Sequence, residues 1–260
     1  MFSTVRPLFW IGLATWLGLS AASADQDALR AFIVRKAGVL ELLHSRAERA
    51  LVTAGQDQTL REHFETKSDG ERARLREWID RISLAVQERF AVEEMSLINE
   101  DGAEIFRVVS DEIACDLATD EADAIFFAPA FAQEPRTVYV SPIHLSPDAE
   151  RWVTAHVTPI VAGGEKKAIL HYEHGLDFYE KTLNAGVGPR GERVLLTARQ
   201  DGWVISDSRK PSPIEQFSLG GMKLQEATDA LGGGPETGVG SLTVDGARFD
   251  VAFKRSRTGF

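Results

Sequence analysis

Arg107 is the one charge inside an apolar run, Ile105-Phe106-Arg107-Val108-Val109. A guanidinium on a strand forks onto a ligand carboxylate or phosphate, or settles into an ion pair with a nearby acid, here Glu104, Asp111 or Glu112. Tyr139 and Ser141 lie two apart in Thr137-Val138-Tyr139-Val140-Ser141, so on a strand they share a face. There the ring can stack on a ligand and the hydroxyls can bond it, or the ring is half-buried and pinned by backbone. Trp152, Thr154, His156 and Thr158 alternate along RWVTAHVTPIVA, as His171 and Glu173 do along KKAILHYE. Phe126-Phe127 suits a pocket lid or a core plug. His156, His171 and Glu173 are zinc-ligand types. No other ligand set accompanies them, so polar packing or contact with an organic ligand is expected, and no metal. His171-x-x-His174 falls at a strand end and is not the helical zinc motif of metalloproteases.

Other chemistries fall away. Gly186-Val187-Gly188-Pro189-Arg190-Gly191 spells a dinucleotide fingerprint. It follows a helical stretch and precedes a strand-like one, the reverse of what that loop needs. Gly232-Gly233-Gly234-Pro235 reads as a flexible linker. There is no Gly-x-Ser-x-Gly elbow and no acid/base pair at a recognisable spacing. Catalysis is therefore not expected; His156 and Glu173 are where a hydrolase would have to be sought. A net charge of −10 with no Lys/Arg cluster argues against nucleic acid. The single Cys115 excludes an internal disulfide and reads as a small buried apolar residue.

The elements that must position these residues centre on Thr137 to Glu173, read as three antiparallel strands separated by short polar turns. One face would carry Val138, Val140, Val153, Ala155, Val157, Ala168 and Leu170 against helices. The other would carry Tyr139, Ser141, Trp152, Thr154, His156, Thr158, His171 and Glu173. That second face is the candidate ligand pocket, with Arg107, Phe127, Tyr139, Ser141, Trp152, His156 and Thr158 as its binding residues.

Ahead of it, Asp25 to about Leu51 reads as a long helix with Leu29, Ile33, Lys36, Leu40, Leu43, Ala47 and Ala50 on one stripe. Asp69 to Phe90 reads as a second, with Leu75, Trp78, Ile79, Ile82 and Val86. A hairpin follows, turning at Asn99-Glu100-Asp101-Gly102. After Asn184 a second unit of four strands is expected, with Asp-Gly turns at Asp201-Gly202 and Asp245-Gly246. The first 24 residues have one charge, Arg6, an apolar run from Leu8 to Leu19, and Ala22-Ser23-Ala24. They read as a secretory signal peptide cut after Ala24, or as an N-terminal tether.

MSLINEDGAEIFRVV (95–109) resembles the opening hairpin of bacterial extracytoplasmic Cache sensor domains, which are PAS-like. TVYVSPIHL (137–145) and Thr158-Pro159-Ile160 resemble their middle strands, and ARQDGWVISDSRKPSPIEQ (198–216) resembles the start of the second, smaller module of double-Cache sensors. The resemblance implies an α+β fold, a long N-terminal helix followed by two antiparallel-sheet modules, the second one strand short. With 1–24 read as signal peptide, it implies 25–90 as helical stalk, 91–184 as the ligand-binding first module and 185–260 as the second. Relatives often carry a basic residue where this chain has Ala155, so no anion specificity is carried over. The pattern of amino-acid-binding receptors is not found, so no amino-acid ligand is assigned.

The function expected is periplasmic or secreted sensing of a small organic ligand, without cofactor or catalysis. With no output domain in the chain, a separate membrane receptor, kinase, cyclase or transporter would read it. The alternative is a structural module whose helix dimerises or docks through Leu40 and Leu43.

Overall fold

The computed structural model describes residues 11–18, 26–90, 92–185, 187, 192–198, 202–209, 215–218, 220–231 and 236–255. The cut after Ala24, the 186–191 glycine run apart from Val187, and the 232–235 linker lie outside these residues. In chain order the elements are β1 (Ile11–Gly18), α1 (Gln26–Ala54), α2 (Gln58–Glu65), α3 (Asp69–Phe90), β2 (Glu94–Asn99), β3 (Glu104–Val109), β4 (Glu112–Ile113), α4 (Phe127–Phe131), β5 (Tyr139–Val140) and β6 (His144–Ser146). They continue with β7 (Arg151–Ala162), β8 (Glu165–Gly175), α5 (Leu176–Asn184), β9 (Glu192–Ala198), β10 (Trp203–Asp207), β11 (Glu215–Gln216), α6 (Leu224–Ala230), β12 (Thr237–Val244) and β13 (Ala247–Arg255). The fold is α+β, a long helix ahead of two antiparallel sheets, as expected. It divides into two compact units, 45–178 and 1–44 with 179–260.

The 45–178 unit carries a sheet ordered β4-β3-β2-β8-β7-β5, with β6 also on β7. The sequence predicts one strand from Thr137 to Ser146; the structure makes two, β5 and β6, on either side of Pro142, which has no N–H for a ladder. One face packs Met95, Leu97, Phe106, Ile160, Leu170 and Tyr172 on Leu51, Leu60 and Ile79 of α1, α2 and α3. The other packs Ile98, Tyr139, Ala155, Val157 and Ile169 under Phe126, Phe127 and Ala130. Cover on both faces is why the central strands read as nearly continuous apolar runs.

The predicted facing of β7 against β8 is corrected by one residue. A two-residue loop, Gly163-Gly164, closes the hairpin with Ala162 opposite Glu165 and Val161 opposite Lys166, but Ile160 then lies opposite Ala168. Lys167 is the extra residue of a bulge. Beyond it Val157 pairs with His171, Ala155 with Glu173 and His156 with Tyr172. A hairpin without the bulge would set His156 against His171. With side chains alternating every residue, the slip moves all of β7 to the opposite face.

The unit formed by 1–44 and 179–260 has a sheet ordered β11-β10-β9-β1-β13-β12. Its core is Leu195, Val204, Phe217, Ala227, Leu231, Leu242, Val251 and Phe253. Six strands replace the four expected. β11 is a short addition, and β1 comes from the apolar run read from sequence as part of a signal peptide, with Ala14 opposite both Leu195 and Phe253. No described helix is long and apolar enough to cross a membrane.

Several side chains differ from expectation. The buried stripe of α1 runs through Leu29, Ile33, Ala37, Leu40, His44 and Leu51, not Lys36 and Leu43. A straight helix of 3.6 residues per turn drifts off a strict alternation of three and four. Trp78 is exposed, because the α3 stripe Leu75–Ile79–Ser83–Gln87 advances by fours. Cys115 is exposed as well.

The β2–β3 turn depends on Gly102. Its φ is +84°, and an added Cβ would stand 2.4 Å from Ala122 N. Gly102→Ala should cost about 1–3 kcal/mol in urea denaturation; an unchanged midpoint would mean that the turn re-forms around the methyl.

Candidate functional site

Strand pairing builds the site directly. One rung across the first sheet reads Arg107, Ser96, His171, Val157, Tyr139. The next reads Val109, Glu94, Glu173, Ala155, and Ser141 joins it, its N–H donating to Ala155 O at 2.8 Å. Directly paired residues point to the same side, so these polar groups converge on one face. Phe126 stacks on the His171 ring with centroids 4.2 Å apart, and Phe127 packs in the same cluster as Tyr139.

Of the seven residues predicted from sequence, Arg107, Phe127, Tyr139 and Ser141 come together on this face. Trp152, His156 and Thr158 do not, because the bulge turns them to the opposite one. Trp152 is exposed. His156 is buried edge-on to His174, with ring centroids 5.1 Å apart. Thr158 donates to Thr137 O at 2.8 Å. Ser141 Oγ accepts from Ala155 N at 2.9 Å and donates to Pro142 O at 2.8 Å.

Arg107 is held by acids. Its Nη1 lies 3.0 Å from Glu104 and 3.3 Å from Asp148, and its Nη2 2.9 Å from Asp116 and 3.0 Å from that residue's carbonyl. Glu104 was foreseen as a partner; Asp116 and Asp148, distant in sequence, were not. Sequence reasoning also missed Glu94, Ser96 and His144. The Glu94-x-Ser96 alternation was visible, but nothing marked which face of β2 it would join.

Glu173 is the hub. Its Oε1 lies 3.2 Å from His144 Nε2 and 3.4 Å from His171 Nε2. On the far side of the ring, His171 Nδ1 is 3.0 Å from Ser96 Oγ and 3.8 Å from Glu94 Oε1. Burial pushes the Glu173 carboxyl up, but the contacts from His144 and His171 outweigh it and hold the group well below the usual carboxylate range. Burial, then the charges of Glu173, Asp148 and Glu104, push Glu94 up to about 9 against the opposing pull of Arg107. Burial lowers the His144 affinity for a proton, and bonding to Glu173 more than restores it. Glu94 and Glu173 thus hold one proton between them near neutral pH.

Arg107 Nε is buried without a hydrogen-bond partner, His171 Nε2 has only the 3.4 Å contact with Glu173 Oε1, and Glu173 is bonded by Ser146 besides the two histidines. A buried atom without a partner usually marks a place for a ligand or an ordered water. Ser96, His171 and Glu173 are strung like a hydrolytic triad, but Ser96 is fully buried in mid-strand and Phe126 lies over the imidazole. A substrate carbonyl has no approach to that hydroxyl. Among the described residues no three His, Cys, Asp or Glu side chains are grouped to hold a metal ion.

No family model and no curated protein matches the chain. Solved structures do. The sensory domain of the Campylobacter jejuni chemoreceptor Tlp3 (CcmL), with isoleucine bound, aligns at a TM-score of 0.69 and 11% identity over 89% of this chain and 91% of that one. The extracellular domain of vpHK1S-Z8, described as a histidine kinase, aligns at 0.60 and 12% identity over 88% and 90%. A domain of a protein assigned to the sensory box/GGDEF family from Vibrio parahaemolyticus aligns at 0.60 and 13% over 89% and 95%. These likenesses establish the fold, which is the sensory-domain fold that the resemblance to double-Cache sensors implies.

Two substitutions separate the site's opposing charges. The value of Glu94 in the fold lies above its ordinary 4.5, so its contribution to stability is fully present below that pH and is lost as pH rises toward 9. Glu94→Gln should gain on the wild type by on the order of 1–3 kcal/mol between pH 5 and pH 7.5 in denaturant titrations. Arg107→Met should lose about 3–5 kcal/mol, because Glu104 is left buried and unpaired. Equal responses at both pH values would mean that Glu94 ionises freely.

Proposed function

We propose that the chain is an exported sensory protein that binds a small organic molecule on the polar face of the first sheet. Residues 91–184 would be the binding module and 185–260 the second; removal of a leader after Ala24 would also take away β1, the strand between β9 and β13. The observation that carries the binding reading is the placing of Arg107, Ser96, His171 and Glu173 on one buried face, beside Phe126 and Tyr139. The Tlp3 domain has an aliphatic amino acid bound, which supports binding of some metabolite within this fold without naming it for this chain. The role is read as binding rather than catalysis, because Ser96 is fully buried in mid-strand and Phe126 over His171 leaves its hydroxyl no line onto a substrate carbonyl. The opposite face of the same sheet packs on α1, α2 and α3, so a guest that shifts β2 and β8 biases those helices toward a second arrangement. A separate membrane receptor, kinase, cyclase or transporter would read the change.

A second reading rests on a different surface. Between α1 and α5 lies an open groove of about 650 Å³, lined by Phe32, Val39, Leu43, Thr182 and Ala185 with Arg35, Lys36 and Lys181. Docking through α1 would use Val39 and Leu43; Leu40 is buried and unsuited to it.

A thermal-shift screen of a broad metabolite library decides between them. At about 100 times Kd a bound compound stabilises by about 2.7 kcal/mol, a Tm rise of roughly 5–10 °C. We expect at least one such compound, with the response lost in Glu173→Gln. A silent library, together with dissociation of a dimer by Val39→Glu and Leu43→Glu, would replace sensing with docking.

A further inference from the structure

The groove between α1 and α5 is separate from the polar face and lies within the unit formed by 1–44 and 179–260. Its floor is apolar, with Phe32, Val39 and Leu43 from α1 and Ala185 just past the end of α5. Its charged lining is of one sign: Arg35, Lys36 and Lys181, with no acid among the described residues. The chain has 39 acids against 29 bases, so an ordinary solvated face would mix the two. Lys36 is fixed in place. Its Nζ donates to Leu183 O at 2.7 Å and to Ala185 O, carbonyls at the end of α5. The negative end of that helix therefore faces a cation already and not a guest. An ammonium has three N–H groups, and the third has no partner among the described residues. Arg35, exposed one residue earlier on α1, makes no hydrogen bond or ion pair among them.

We infer that this groove binds an aliphatic carboxylate, its chain along Phe32, Val39 and Leu43 and its head group at Arg35 and Lys36. Phe32 to Leu43 spans three turns of helix, about 16 Å, which suits a chain of medium length. A volume of about 650 Å³ is that of a small-molecule site. A helix, roughly 10–12 Å across with its side chains, would stand largely outside it. A membrane surface is the poorer match. Recognition of anionic lipid uses clusters of about 4–8 bases, and a chain with a net charge of −10 is repelled by such a surface. A half-buried cation with an unspent N–H gains more from an anion than a fully hydrated one does. The apolar floor adds affinity in proportion to the tail it covers.

Isothermal titration of the full chain tests this with octanoate, octylammonium and 1-octanol, which share one tail, each kept below the concentration at which it aggregates. The expected result is octanoate binding about tenfold or more tighter than the other two. Affinity should rise about 3–10-fold from hexanoate to octanoate, and again to decanoate. Arg35→Glu and Val39→Glu, both at exposed positions, should each weaken octanoate about tenfold or more without shifting the thermal midpoint. Octylammonium as tight as octanoate overturns the inference, as does octanoate binding that both α1 substitutions leave intact. Loss of octanoate binding in Glu173→Gln would move the acid to the polar face and overturn it. Silence across the acid series overturns it too and leaves the sensing role standing. Binding to phosphatidylglycerol vesicles without binding of the free acids would make a membrane the occupant and sink the assignment. So would a dimer that Val39→Glu splits and octanoate does not, since a second copy would then fill the groove.

Discussion

The pairing of Glu94 with Glu173 across β2 and β8 is the constraint on which the rest of the site depends. Two carboxylates set opposite each other in the middle of a sheet, covered from above, cannot both ionise without help. Everything near them answers that problem. His144 and His171 lean on Glu173 and fix the charge there. Glu94 keeps the proton. Arg107, one strand away, is drawn into three other acids. Apolar side chains in these positions would make a more stable sheet.

A core that keeps such groups gives up stability for something else. The two faces of the same strands show the contrast. Toward α1, α2 and α3 the sheet is a dry layer of Leu97, Phe106, Leu170 and Ile160. Toward Phe126 it is polar in composition and buried. The dry layer supplies the rigidity that holds the polar one in geometry, because neighbouring residues of a strand serve opposite faces. Helix packing and site geometry are therefore mechanically one object in this unit.

The helices other than α2, the hairpin at Asn99–Gly102 and the α+β plan were legible from period and turn chemistry; α2, eight residues capped by Asp57 with only Leu60 and His63 buried, was too short and polar to read. So was the shared face of Tyr139 and Ser141, which needs only the alternation within one short strand. The facing of β7 was not. Alternation assigns residues of one strand to two sets, but matching sets between strands requires the register, and one bulge at Lys167 reverses the match. Arg107's partners illustrate a second limit: Glu104 is three residues away and was foreseen, whereas Asp148 reaches it only after β6 and β7 have folded back. The α1 stripe failed at Lys36 and Leu43 for a third reason, since small residues such as Ala37 carry little hydrophobic signal yet fit closest to a packed surface. The strand formed by Ile11–Gly18 was invisible because an apolar run of that length suits a leader and a central strand equally.

The register of β7 also bears on how such a protein could change its guest over generations. Loss of Lys167 alone would only straighten the hairpin, leaving Ile160 opposite Ala168 and Val157 opposite His171. Loss of one residue from β7 itself, such as Pro159, with the bulge kept, would shift the rest of the strand by one place and bring Thr154, His156 and Thr158 beside His171 and Glu173, while Ala155 and Val157 retired to the helices. A face of different chemistry would appear without the replacement of any residue that lines it, so length variation within a strand is a route to new specificity as direct as substitution.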